Sequence, residues 1–198
     1  WFVREFVGSE SVDQSFARFE AQLADRPPGE SDLVALDWWN GSRAPLSDST
    51  VSGLLLGLTL KTTPMDVYRA LVESLCFGAR SIAERLIAGS APITRVILAS
   101  GVAEKSPFAM QTMADILGRM VEVPRIRHAA AVGAAIHGAV AAGVAPDFRT
   151  GARRYGASDF VLYRPRGSHA RSYDRLFKGY SQLVSDPRIR DVMHLIRR

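Results

Sequence analysis

From residue 95 to residue 143 the chain alternates short apolar runs with helical patterns, and that order restricts it to a layered α/β architecture. RVILAS (95–100) is a continuous apolar run suited to a strand buried on both faces. Ser106-Pro107 caps a helix that runs to Leu117 with Gly118 behind it, and MVEV (120–123) reads as a short strand. AAAVGAAIHGAVAAG (129–143) reads as a helix of small residues. Alanine and glycine at that density permit close helix–sheet packing, and His137 among them reads as a packed or partly exposed side chain rather than a ligand.

Upstream the signals are breakers and caps. Residues 1–8 and about 12–25 have helical periodicity, which Arg26-Pro27-Pro28-Gly29 ends, since proline lacks the N–H donor and glycine loosens the chain. LVALDWW (33–39) and VSGLLLGLTL (51–60) are strand candidates, with Asn40-Gly41 as a turn and Gly53 and Gly57 marking a bulge or a close backbone approach. Thr63-Pro64-Met65-Asp66 opens a long helix: threonine caps, proline suits the first helical position, and the carboxylate favours the positive helix start. Val67, Leu71, Leu75, Ala79, Ile82 and Leu86 form one apolar stripe of the kind that faces a core, and Gly89 ends it. Trp38 and Trp39 cannot both face one side of a strand, so one belongs to the core and the other to the opposite face or a cleft. Asp48 reads as a turn cap.

Composition excludes several classes. With 198 residues, 47% hydrophobic, the chain can bury a full core as one domain or as one domain with an appendage. No window is apolar long enough to cross a bilayer and no basic-then-apolar leader opens the chain, so a soluble protein with no membrane partner is expected. The single cysteine, Cys76, cannot form an internal disulfide, which fits a reducing compartment and makes the cytoplasm the expected location. The net charge of +5 is concentrated after residue 147, in RTGARRYG, YRPRGSHAR and RIRDVMHLIRR. No aromatic stacking pattern accompanies those arginines, so they read as a solvated face rather than a nucleic-acid surface. The expected division is a helical lead-in (1–29), a central domain (30–147) and a basic helical tail (148–198). Trp1 stands where an initiator methionine would and opens mid-helix, which predicts that the chain is the C-terminal part of a longer protein.

One stretch has the layout of a ligand loop. ILASGVAEKSPF (97–108) runs strand end, glycine, then Lys105-Ser106-Pro107. A phosphate loop needs G-x-x-x-x-G-K-[ST], with glycines that let backbone N–H groups wrap the phosphates. No glycine precedes Lys105, so this is not that loop. A glycine between a strand end and a helix start is nevertheless where ligands sit in open α/β sheets. A purely structural turn has the same pattern, so the residues alone leave both readings open.

Four blocks in order, LDWWNGSRAP (36–45), GLLLGLTLKTTPMDVYRALVESLCFGAR (53–80), ASGVAEKSPFAMQTMADILGRMVEV (99–123) and AAAVGAAIHGAVAAG (129–143), resemble the C-terminal domain of the FGGY carbohydrate kinases. The turn at residues 37–45 is most similar to the branch that phosphorylates L-ribulose. The resemblance implies a ribonuclease-H-like domain of the actin and hexokinase ATPase type, a mixed sheet flanked by helices, with ATP and Mg²⁺ in a cleft shared with an N-terminal kinase domain. It implies that Ser100, Gly101, Val102 and Lys105 bind the adenosine end of the nucleotide, Gly101 by backbone approach and Lys105 beside the adenine. Asn40 and Arg43 are the candidates for substrate contact, although a structural role for their turn ranks slightly ahead. Two departures stand out: Ser100 where relatives usually carry glycine, and Leu71 where a small or β-branched residue is usual.

In the resembling family the catalytic aspartate and the phosphate loops lie upstream, so no catalytic residue is assigned to this chain; no constellation of His, Cys and acids stands at ligand spacing, so no metal ligand is assigned either. A homodimer is compatible with the resemblance. The sugar could equally be D-ribulose, ribitol or a related polyol, and a non-catalytic actin-like binding module is the competing class.

Overall fold

The structure, a computed structural model, describes residues 1–8 and 11–197. Helices α1 (Phe2–Phe6) and α2 (Val12–Leu23) lead into a two-stranded antiparallel hairpin, β1 (Val34–Leu36) and β2 (Leu54–Leu56). Helix α3 (Pro64–Ala88) follows, then β3 (Val96–Ile97), a short α4 (Gly101–Lys105), α5 (Pro107–Leu117), β4 (Val121–Pro124) and α6 (Ala129–Ala141). The chain ends with α7 (Phe148–Tyr155), β5 (Phe160–Tyr163), a 3-10 turn at Gly167–His169, α8 (Ala170–Ser185) and α9 (Pro187–Ile196). Strands β3, β4 and β5 form a mixed sheet with β4 in the centre, parallel to β3 and antiparallel to β5. The α/β alternation expected after residue 95 is present.

Caps place the helices where the breakers put them. Thr63 Oγ1 accepts from Asp66 N–H at 3.3 Å while Asp66 Oδ2 accepts from Thr63 N–H at 2.9 Å, a reciprocal box that fixes the start of α3. Ser106 Oγ accepts from Ala109 N–H at 3.0 Å to start α5, and Gly118, at φ +61°, ends it in the left-handed conformation. Gly57 has φ +97° and lies close against the Asp32 carbonyl, and a Cβ on Gly53 would overlap the Trp39 ring. Both are close approaches of the kind the sequence suggested.

Four expectations need correction. The α3 stripe is not the buried face: Val67, Leu71 and Ala79 are half-buried, while Leu75 (51% exposed), Ile82 and Leu86 face outward. The inner face carries Tyr68, Ala70, Val72, Cys76 and Phe77 together with Arg69 and Glu73. Those two charges are tolerated in the core because Arg69 Nε donates to Glu73 Oε1 at 2.9 Å and its Nη2 donates to the Arg26 carbonyl at 2.8 Å. A count of apolar residues therefore picked the wrong side of a helix that is apolar on both.

The second correction concerns β3, which is an edge strand with Ile97 exposed, not a strand covered on both faces; β4 holds the buried position. Third, α6 packs against α7 rather than onto the sheet, and only Ile136 is buried in it. His137 is exposed, with its ring 4.6 Å from that of Phe148.

Fourth, the residues after 147 are not a peripheral tail. Tyr173, Leu176, Phe177, Tyr180, Val184 and Met193 belong to the same apolar core as Phe19, Leu36, Trp38 and Phe77. Periodicity hidden among arginines concealed this face: α8 turns its aromatic residues inward and keeps its basic residues in water. Asp115, fully buried on α5, bolts the segment down by accepting from Arg166 N–H at 2.7 Å and Arg166 Nε at 2.9 Å, with His169 Nδ1 3.0 Å away.

Candidate functional site

Strand β3 releases the chain at its C-terminal end into Ser100, and the next five residues form one helical turn rather than an open loop. Ser100 Oγ caps that turn by accepting from Ala103 N–H at 3.2 Å, and its carbonyl accepts from Glu104 N–H at 3.0 Å. The N–H groups of Ala103 and Glu104 are thus engaged within α4. Ala103 alone turns inward; Ser100, Gly101, Val102 and Lys105 are all exposed along one ledge.

Gly101 is informative because nothing among the described residues requires it. Its φ is not in the left-handed region, and a Cβ built on it would meet no atom within 4 Å. Val102 presents an exposed aliphatic surface beside it, 53% accessible. Lys105 closes α4 and makes no ion pair among the described residues.

A residue that sequence reasoning missed holds this ledge in place. Glu20, on α2, accepts from Ser106 Oγ at 2.6 Å and from Tyr68 OH at 3.1 Å through one oxygen, and from Phe108 N–H at 3.0 Å through the other. A carboxylate at the start of α5 satisfies an unpaired helix N–H and complements the helix dipole, so α2 fixes the junction between α4 and α5. Its partners lie 48 to 88 positions away, and no local motif marks it.

The aromatic turn forms a second locus. Trp38 is 2% exposed and sits in the core; Trp39 is 41% exposed and lies between Gly53 and Trp1, whose ring centroid is 5.5 Å from its own. Gly41 N–H donates to the Trp38 carbonyl at 3.1 Å, closing the turn at φ +76°. Asn40 and Arg43 are both exposed there. Asp48 accepts from the Thr50 hydroxyl and from Thr50 N–H at 2.8 Å, with His194 Nε2 2.9 Å away, and these contacts hold its carboxyl down to about 2. It is thus a turn cap that also reaches α9.

Among the described residues no hydrogen bond or ion pair links the Ser100–Lys105 ledge to the Asn40–Arg43 turn. No group of three or more His, Cys, Asp or Glu side chains there is arranged to hold a metal ion. A small hollow of about 150 Å³, walled by Arg95, Arg119 and Glu122, lies at the other end of β3 and β4, away from the strand ends where ligands of open sheets bind. No helix among the described residues is long and apolar enough to cross a membrane.

Comparison with known proteins bears on the family and the fold. The ribulokinase of Bacillus licheniformis is 40% identical over 196 residues, covering 93% of this chain and 36% of that protein. The ribulokinase of Halalkalibacterium halodurans is 33% identical over 194 residues, covering 92% and 34% respectively. The chain thus spans about a third of the length of these relatives. Among solved structures, the xylulose kinase from Rhodospirillum rubrum superposes with a TM-score of 0.77 at 27% identity, covering 98% of this chain and 38% of that one. Plasmodium falciparum glycerol kinase with ADP shares the fold at a TM-score of 0.65 and 16% identity. Those neighbours carry the actin and hexokinase type of ATPase fold, the architecture that the resemblance implied. Residues 2–142 match the FGGY family of carbohydrate kinases, C-terminal domain, and the chain belongs to that family.

Proposed function

We propose that the chain is the nucleotide-binding half of an ATP-dependent kinase that phosphorylates a ketopentose, with L-ribulose as the preferred sugar. The observation that carries the nucleotide assignment is Gly101, a glycine on an exposed ledge at the C-terminal end of a parallel strand, with no conformational or packing need for glycine inside the chain. Its missing side chain leaves room for a planar base or ribose to lie against the backbone. Val102 offers that base an aliphatic surface, Ser100 shapes the approach while capping α4, and Lys105 stands at the outer edge.

ATP supplies the transferable phosphoryl group when bound. The ledge suits the adenosine end, because Ala103 and Glu104 N–H are committed within α4. Mg²⁺ is assigned to no residue of this chain, since no acidic or imidazole cluster fits it among the described residues. The attacking-hydroxyl base and the phosphate-gripping loops belong to an N-terminal kinase domain, in keeping with the chain matching only a third of the ribulokinases. Asn40 and Arg43, exposed at the aromatic turn, are the sugar-facing groups of this half. Identity of 33–40% to ribulokinases favours L-ribulose. The likeness to a xylulose kinase structure favours another pentulose as the second reading.

A coupled assay with ATP, Mg²⁺ and a panel of ketopentoses and polyols tests this. The full-length protein should turn over L-ribulose with the highest kcat/KM, and residues 1–198 alone should give background. Turnover by the isolated chain would mean that the reacting groups have been assigned to the wrong half.

A further inference from the structure

Pro107 forces a break in the chain just after the Ser100–Lys105 ledge. A proline ring disfavours helical backbone in the residue before it, and Ser106 stands at φ −124° and ψ 86°, so α4 and α5 meet at a corner instead of running on as one helix. Ser106 closes α4, its N–H donating to the Val102 carbonyl at 2.9 Å, and opens α5, its carbonyl accepting from Met110 N–H at 3.2 Å. One buried residue is therefore the pivot on which the ledge hangs. Within α4 only Ala103 is buried, so the direction of the ledge depends on how that pivot is held.

The hold comes from α2. The Ser106 hydroxyl works in both directions, accepting from Ala109 N–H at 3.0 Å and donating to Glu20 Oε1 at 2.6 Å. Pro107 has no N–H, and Ser106 takes the N–H groups of Ala109 and Met110, so Phe108 N–H is the donor left over in the first turn of α5. Glu20 Oε2 accepts it at 3.0 Å. Tyr68 OH orients the same carboxylate from α3, donating to Oε1 at 3.1 Å. Helix α2 is a firm post for this contact: Phe19 and Leu23 are buried in the core, and the Phe19 ring lies 5.0 Å from that of Tyr68. Among the described residues Glu20 makes no hydrogen bond to Ser100, Gly101, Val102 or Lys105.

We propose that Glu20 is a positioning residue for the nucleotide. By pinning Ser106 and the first turn of α5 it fixes the angle at which the ledge is presented, so ATP affinity depends on a side chain of α2 that acts only through the pivot. The proposal rests on the reading of the ledge as the adenosine site and adds to it the element that holds the ledge in register.

The test uses the full-length protein, assayed well below the thermal midpoint of every variant. Glu20→Ala should raise the KM for ATP about three- to tenfold and leave the sugar KM unchanged. Glu20→Gln is nearly isosteric, keeps an acceptor for the two hydroxyls and turns an N–H2 toward Phe108 N–H, so its rise should be smaller. Val184→Ala, which opens a core position on α8, controls for lost stability: it should lower the thermal midpoint and leave both KM values unchanged. An unchanged ATP KM in both Glu20 variants would overturn the proposal, as would a rise in Val184→Ala equal to that in Glu20→Ala. If Gly101→Val leaves the ATP KM unchanged, the reading of the ledge fails on its own. Amide hydrogen exchange across residues 100–108 then decides the pinning: faster exchange in Glu20→Gln than in Val184→Ala supports it, and exchange unchanged from the wild type overturns it.

Discussion

Gly101 and Lys105 lie on the same short turn, yet they should answer substitution differently. Gly101→Val adds a branched side chain into open space, so the thermal midpoint of the protein should hold while the apparent KM for ATP rises strongly and the sugar KM stays put. Lys105→Ala should do less, since a solvated ammonium beside an uncharged base contributes little. A collapse of kcat in Lys105→Ala with ATP binding intact would instead make it a phosphate ligand. The paired tryptophans separate just as clearly: Trp38→Ala empties a core site and should cost about 3–5 kcal/mol, whereas Trp39→Ala, half in solvent, should cost far less. Chemical denaturation of the two variants checks this. The sequence allowed one tryptophan inside and one outside but did not say which, because alternation along a strand fixes relative and not absolute facing. Glu20 was illegible for a different reason: its role exists only after α2 and α5 have been brought together.

At the scale of the element, caps were legible and burial was not. Thr63, Asp66, Ser106 and Gly118 act within four residues of their partners, so a linear reading finds them. The inner face of α3 depends on what packs there, and the Arg69–Glu73 pair made it look polar. That pair has a measurable signature. Burial pushes the Glu73 carboxyl up to about 7 against the opposing pull of Arg69, from an ordinary value near 4.5. The folded state therefore binds a proton more readily than the unfolded chain between those values, and the contribution of Glu73 to stability is full below about 4.5 and is lost as pH rises toward 7. Thermal midpoints measured from pH 4.5 to 7.5 should show that fall in the wild type. The Glu73→Gln variant, which has no proton to release, should lack this component of the slope, and identical profiles would show that Glu73 titrates normally.

Across the whole molecule the order of elements was readable, but their closure into one core was not. Alternating strands and helices between residues 95 and 143 declare the architecture, while the contribution of α8 is masked by the arginines around its aromatic face. Truncation after residue 147 should therefore abolish cooperative unfolding rather than trim an appendage, because Tyr173, Phe177 and Tyr180 leave the core and Asp115 is stranded without Arg166 and His169. A truncated protein with an intact cooperative transition by calorimetry would refute that expectation. The same bolt at Asp115 sets an order in time. A polypeptide is made from its N-terminus, so β1, α3 and α5 emerge with an apolar seam that stays open until α8 follows, and this core closes only once the chain has been made through α8.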